Sequence, residues 1–337
     1  MGYFVGLDVS QKNTAICILD ASGEVVWQGS VLTTPSAIRA QVVKHAAETA
    51  KIGMETGPLA VWLYHSLRNL GLDIDCIHAR HVHAALSVQL NKTDRNDAHG
   101  IAQLVRSGWY QAIHVKSLAC HEQRLVLIAR EKLIRMRTGT INQIRGIVKT
   151  FGVVLGPGRN SVFEREVERC MEEVGSLKPV VDTLLMTWRH LNEQIRKLEK
   201  QLAKSAEKDP VNRLLMSVPG VGLLTAVSFK TAIDDPGRFA RITDIGPFLG
   251  LTPKRYQSGE VNRSAGISKH GNRQTRSLLY EAALSLFKRY GKDTKLARWA
   301  SELEARVGHK KAVVALTRKL ATILLSIWKS GEVFRTA

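Results

Sequence analysis

Apolar residues in the first third of the chain fall in short blocks separated by polar turns. Residues 3–9 form one block ending at Asp8, residues 14–19 a second, and residues 24–32 a third after Ala21-Ser22-Gly23. Short links and β-rich blocks predict an antiparallel meander of three strands. The pattern then changes period. Residues 35–50 read as a helix and 51–56 as a short buried strand carrying Glu55, closed by Gly57-Pro58. Residues 59–70 read as a helix, 72–78 as a strand and 93–106 as a helix. The expected order is β-β-β-α-β-α-β-α, an α/β domain.

Beyond residue 112 the pattern is helical. Residues 118–150 form a long basic stretch with seven Lys/Arg against Glu122 and Glu131. Gly152, Gly156, Pro157 and Gly158 mark a break. Then Leu177, Val181, Leu184, Trp188, Leu191, Ile195, Leu198 and Leu202 alternate steps of four and three. That heptad seam predicts a coiled coil or helical hairpin. Its partner is residues 118–150 of the same chain, a second copy, or both. Asp209-Pro210 marks the next boundary, and residues 211–337 read as mostly helical. The expected domains are 1–112, 113–209 and 210–337.

Charge narrows the function. The 337 residues include 49 Lys+Arg against 30 Asp+Glu, a formal net charge of +19, while 44% of residues are apolar. A folded protein this basic favours a polyanionic partner, because cations on phosphates release condensed counterions. Nucleic acid fits. A membrane surface does not, since no basic amphipathic anchor is evident. The four cysteines, Cys17, Cys76, Cys120 and Cys170, form no CxxC pair, which argues against a zinc ribbon or a disulfide scaffold. No leader pattern opens the chain, and apolar runs such as 321–328 are too short to span a bilayer. The expectation is a soluble cytoplasmic protein associated with the nucleoid, with no membrane partner.

Three acidic motifs stand out. Asp8 ends the first strand in Gly6-Leu7-Asp8-Val9-Ser10. Glu55 ends another in Gly53-Met54-Glu55-Thr56-Gly57. Asp94 and Asp97 stand three apart in Lys92-Thr93-Asp94-Arg95-Asn96-Asp97-Ala98, so a helix puts both on one face. Each has an ordinary structural alternative: Asp8 capping a turn, Asp94 as helix N-cap, Asp97 favouring the helix dipole. Together, in a basic α/β protein, they suit a divalent-metal site for phosphoryl transfer. Hard cations take oxygen ligands, and bound metal relieves the repulsion among clustered carboxylates.

The C-terminal third carries two further motifs. Val218-Pro219-Gly220-Val221-Gly222 lies between two apolar helical segments and has the look of a helix-hairpin-helix, whose second helix can offer backbone N–H groups of the Gly220–Gly222 turn to a phosphate. Residues 250–290 hold eight Lys/Arg against Glu260 and Glu281. Lys254, Arg255, Lys269, Arg273 and Arg276 are the expected nucleic-acid contacts. The same stretch presents several serines, and a serine in a cationic loop can attack phosphorus. The chemistry alone does not choose among them.

The segments GLDVSQ, GMETG and KTDRNDAHGIAQL resemble the RuvC-like domain of the DEDD-type insertion-sequence transposases. The stretch from Phe248 to Arg273, with its Ser-Gly pair and GISKHGN sequence, resembles their C-terminal transposase domain. The resemblance covers nearly the whole chain. It implies an RNase H-like N-terminal fold with Asp8, Glu55, Asp94 and Asp97 binding Mg²⁺ or Mn²⁺. It implies Ser258 as a nucleophile forming a transient phosphoserine link to DNA, with Ser264 and Ser268 as fallbacks. It also implies donor and target DNA as partners and a structured noncoding bridge RNA as guide; the heptad seam and the need for two DNA partners point to a homodimer or homotetramer. Relatives often read SGG where this chain has Ser258-Gly259-Glu260. Two other readings stand beside this one: a metal-dependent junction resolvase using water attack, and a non-catalytic nucleic-acid-binding assembly protein.

Overall fold

A computed structural model describes residues 2–46, 50–87, 93–156, 161–258, 261–289 and 294–335, with the side chains of Ser161, Glu173, Arg255, Ser258 and residues 261–265 outside that description. The chain divides into two units, Met1–Leu118 and Ala119–Ala337.

The first unit is built on five strands: β1 (Phe4–Val9), β2 (Asn13–Leu19), β3 (Val25–Leu32), β4 (Lys51–Glu55) and β5 (Asp73–Ile77), in the sheet order β3-β2-β1-β4-β5. The first three form the expected antiparallel meander, while β4 and β5 run parallel to β1. Parallel neighbours need crossovers, which α1 (Pro35–His45) and α2 (Ala60–Asn69) supply. Thr34 starts α1 by accepting a hydrogen bond from the Ala37 amide, with Pro35 in the first turn.

One face of the sheet packs Val5, Leu7, Ile16, Ile18, Ile52, Met54 and Ile74 against Ile38, Val42, Leu63 and Leu67 of these two helices. The other face is crossed by α4 (Asp94–Ser107), whose Ala98 and Ala102 meet Ala15, Cys17 and Leu19 of β2. Between β5 and α4 lies α3 (Ala79–Leu86), which buries only Val82 fully. With so short an apolar stripe, it left no periodic signal in the sequence.

The second unit opens with a helical hairpin. Helix α5 (Leu118–Thr150) runs antiparallel to α7 (Lys178–Glu207), with Gln123 reaching Ser205 (3.3 Å), Arg130 reaching Glu199 (2.6 Å) and Arg137 reaching Asn192 (3.0 Å). The seam side chains Val181, Trp188, Leu191, Ile195 and Leu202 are buried. Ile144 and Val148 of α5 share a cluster with Val181, Leu185 and Trp188. The intramolecular partner expected for the seam is thus present. The glycine-rich break hides a further helix, α6 (Ser161–Glu173), whose Phe163, Val167, Cys170 and Met171 complete this cluster.

Among the described residues six more α-helices follow: α8 (Pro210–Met216), α9 (Leu223–Ile233), α10 (Ile245–Phe248), α11 (Arg273–Arg289), α12 (Lys295–Val307) and α13 (His309–Ser330). They enclose a core that includes Phe229, Leu249, Leu279, Leu286, Leu316, Leu320 and Leu324. Leu127, Leu202 and Ala206 join the hairpin base to Val227 of α9. A β-hairpin, β6 (Pro253–Ser258) and β7 (Val261–Ile267), interrupts the helices where the composition suggested a basic loop. No helix among the described residues is long and apolar enough to cross a membrane.

Candidate active site

The sheet pairing brings two of the four acids together. In the parallel β1–β4 pair, Gly6 lies opposite Gly53 and Leu7 opposite Met54. Asp8 and Glu55 are the next residues on each strand, at the C-terminal edge of the sheet. Glu55 is in turn paired with Ile77 of β5. Side chains alternate along a strand, so Asp8 shares a face with Gly6, and Glu55 with Gly53.

That face belongs to α4. A Cβ on Gly6 would stand 2.0 Å from the Ala98 carbonyl oxygen and 2.4 Å from the Ala102 nitrogen, and one on Gly53 would meet Val105 and Ile101 side chains at 2.3 and 3.3 Å. The two glycines let the helix backbone settle onto the strands. The helix stripe that touches the sheet is Ala98, Ile101, Ala102 and Val105, all buried. One turn back, the same stripe becomes Asp97 and Asp94. The stripe thus continues into the two acids of the helix, on the sheet face that also carries Asp8 and Glu55.

Thr93 is the N-cap of α4, accepting a hydrogen bond from the Asn96 amide at 3.2 Å, and Asp94 is the first helical residue. The capping role considered for Asp94 is therefore filled by its neighbour. Asp94 is exposed, and Asp8, Glu55 and Asp97 are half-buried. Among the described residues, no three of His, Cys, Asp or Glu converge closely enough to hold a metal ion. The acids share an edge without forming a closed cage. Their donor set is all oxygen, which suits a hard divalent cation. Mg²⁺ in particular is held by one or two carboxylates, waters and substrate phosphates rather than by a complete protein cage.

Sequence reasoning gave no role to one contact at this edge. In the β2–β3 and β1–β2 registers, Gln28 lies opposite Cys17, and Cys17 opposite Gly6, so Gln28 belongs to the row that faces α4. Its side chain donates to the Arg95 carbonyl oxygen (2.8 Å) and accepts from Arg95 Nε (2.6 Å). In the sequence it is only a polar residue on a strand, with nothing to mark which way it faces.

In the second unit, Gly220 has φ of +84°, and a Cβ there would lie 2.6 Å from the Ala282 carbonyl oxygen. Its role is a left-handed turn pressed against α11. Gly222 is the exposed N-cap of α9, with open space where a Cβ would stand. The GISKHGN segment is fastened to the Leu249–Thr252 segment: Ser268 N–H donates to the Thr252 carbonyl (2.8 Å) and Lys269 N–H to that of Gly250 (3.1 Å). Arg276 ties both together, donating from Nη1 to the carbonyls of Leu249 (2.9 Å) and His270 (2.7 Å). Burial, reinforced by the Arg273 charge, holds the Arg276 guanidinium below its usual range. Lys254, Lys269 and Arg273 are exposed around this platform. Ser258 is the last residue of β6, opposite Val261, and the side chains of Ser258, Arg255 and Ser264 lie outside the described part.

Comparison with known proteins matches both units. Residues 5–152 match the IS110 DEDD family model described as a transposase, and residues 212–298 match the model described as the transposase IS116/IS110/IS902 family. The chain is 30% identical to the transposase for insertion sequence element IS1111A of Coxiella burnetii, over 98% of this chain and 91% of that protein. It is 26% identical to the transposase for insertion sequence element IS1328 of Yersinia enterocolitica, over 84% and 85%. It is also 26% identical to the pilin gene-inverting protein of Moraxella bovis, over 43% and 47%.

Proposed function

The chain belongs to the IS116/IS110/IS902 family of insertion-sequence transposases, and we propose that it exchanges DNA strands with a divalent-metal edge on Asp8, Glu55, Asp94 and Asp97 and a serine nucleophile, Ser258. It is an enzyme whose substrate is DNA, which sets aside the non-catalytic assembly reading. The observation that supports the metal half is the α4 stripe, which packs on β1 and β4 at Gly6 and Gly53 and continues one turn back into Asp97 and Asp94, on the sheet face that Asp8 and Glu55 share. The family model bears the DEDD name, in keeping with divalent-metal dependence and an RNase H-like fold. Bound there, Mg²⁺ or Mn²⁺ would supply charge neutralisation on the reacting phosphate.

The serine half rests on the resemblance of the Ser258 segment to the family's C-terminal domain. Ser258 Oγ gives up its proton to solvent and attacks the phosphorus, forming a serine–phosphate ester as the bond between phosphorus and one sugar oxygen breaks. The departing sugar oxygen takes up a proton. A hydroxyl of the partner strand then attacks the same phosphorus, and the serine oxygen leaves and is reprotonated. The exposed Lys254, Lys269 and Arg273 would hold the backbone nearby, and the turn at Gly220 and Gly222 would add amide contacts. Similarity to a gene-inverting protein favours site-specific exchange. We extend the reading to a structured noncoding guide RNA, for which basic α5 offers a polyanion surface, and to a homodimer or homotetramer.

The test is a covalent adduct. Cells carrying the moving element are lysed in denaturant, and DNA-linked protein is digested and sequenced by mass spectrometry. We expect the linked peptide to contain Ser258, and Ser258→Ala and Asp8→Ala each to abolish recombination. Movement without any adduct, with Ser258→Ala active, would instead establish water attack by the carboxylate edge, as in a junction resolvase.

A further inference from the structure

We propose that Gln28 is a positioning residue for the metal edge, latching the first turn of α4 to strand β3 through Arg95. The inference rests on the carboxylate reading above. The first turn of a helix frays most readily, because its amides have no intrahelical acceptors. In α4 that turn carries Asp94 and Asp97, while the glycine contacts that seat the helix lie at Ala98 and beyond. Something must hold the turn that extends past them. Thr93 caps it from within, and Gln28 holds it from the sheet.

Gln28 grips Arg95 twice. The bond to the Arg95 carbonyl (2.8 Å) fixes backbone between the two acids. The bond from Arg95 Nε (2.6 Å) turns the guanidinium toward β3. An arginine flanked by aspartates one and two positions away would otherwise compete with a cation for their oxygens. The latch therefore does two things at once: it steadies the carboxylates and occupies the neighbouring positive charge. Neither effect needs Gln28 to touch metal or DNA.

The test uses the full chain and two readouts. Hydrogen exchange followed by mass spectrometry reports the peptide spanning residues 93–98. Mn²⁺ titration, followed by the electron paramagnetic resonance signal of free ion, reports cation binding. Gln28→Ala should speed exchange in that peptide about fivefold and raise the half-saturating Mn²⁺ concentration by a similar factor, the scale of one or two lost hydrogen bonds. Exchange in β1 and β4 should stay as in the parent. Arg95→Ala keeps the Gln28–carbonyl bond and should give a smaller exchange effect, which provides a second reading if Gln28→Ala folds poorly. Unchanged exchange in either well-folded variant overturns the latch. So does faster exchange with an unmoved Mn²⁺ midpoint. Asp8→Ala is the control: if it leaves Mn²⁺ binding intact, the metal assignment falls, while the exchange data still judge the latch.

Discussion

Gly6 sits where the backbones of β1 and α4 meet, with a helix carbonyl 2.0 Å from where its Cβ would stand. A backbone atom cannot rotate away, so Gly6→Ala must lift α4 off the sheet. We expect a loss of about 2–3 kcal/mol in urea unfolding of the N-terminal unit, the range for overpacking a close contact. Recombination should fall further than stability does, because the same shift moves Asp94 and Asp97 away from Asp8. Titration gives a second residue-scale prediction. Burial pushes the Cys17 and Cys76 thiols from 9.0 up to about 11, and burial with the Asp75 hydrogen bond pushes the Tyr110 hydroxyl up to about 12. These groups hold their protons more tightly folded than unfolded. Their contribution is complete below about pH 9 and is lost as pH rises through 11 to 12. Urea midpoints measured from neutral to alkaline pH should decline over that window, and less steeply in a Cys17→Ala/Cys76→Ala variant. The positions of the four acids, near strand ends and in the first turn of α4, were legible because each lies at the end of an apolar block or the start of a periodic one. Gln28 was not, since a polar residue on an edge strand looks the same whether it faces water or a helix.

Elements with a sustained period were equally legible. The three-strand meander and the α5–α7 hairpin appear where the pattern put them, because their apolar faces are long and unbroken. The short α3 and the α6 behind its glycine-rich approach were not, and the β6–β7 hairpin was hidden by its basic composition. Helix α3 fully buries only Val82, and α6 buries its apolar face against α5 and α7 rather than within a periodic run of its own. Within the α5–α7 hairpin, energy is concentrated in the seam. Trp188 is 3% exposed and its ring lies 5.7 Å from that of Phe163, whereas the Arg130–Glu199 pair is partly open to water. Trp188→Ala should cost about 3–5 kcal/mol. Arg130→Ala should cost about 1 kcal/mol or less, since solvent screens the pair. Denaturant unfolding of the two variants checks the ranking. A Trp188→Ala chain as stable as the parent would mean that the seam is not what holds the hairpin.

At the scale of the molecule, the proposed chemistry is divided between two units with separate cores. Asp8, Glu55, Asp94 and Asp97 belong to Met1–Leu118, and Ser258 to Ala119–Ala337. Strand exchange between two DNA sites needs at least two cuts held in one assembly. In the proposed mechanism, a serine on one chain working with the carboxylate edge of another would make cutting conditional on that assembly. The division predicts complementation. Chains carrying Asp8→Ala and chains carrying Ser258→Ala should each be inactive alone, because each assembly of identical copies lacks one component everywhere. Co-expressed, they should regain measurable recombination, because some pairings unite an intact edge with an intact serine from different copies. Were the two components always drawn from one chain, no mixture would contain a complete site, and co-expression would stay as inactive as either variant alone. The experiment needs only a recombination reporter and equal expression of both variants, confirmed by immunoblot, and its outcome decides whether the site is completed within one copy or between two.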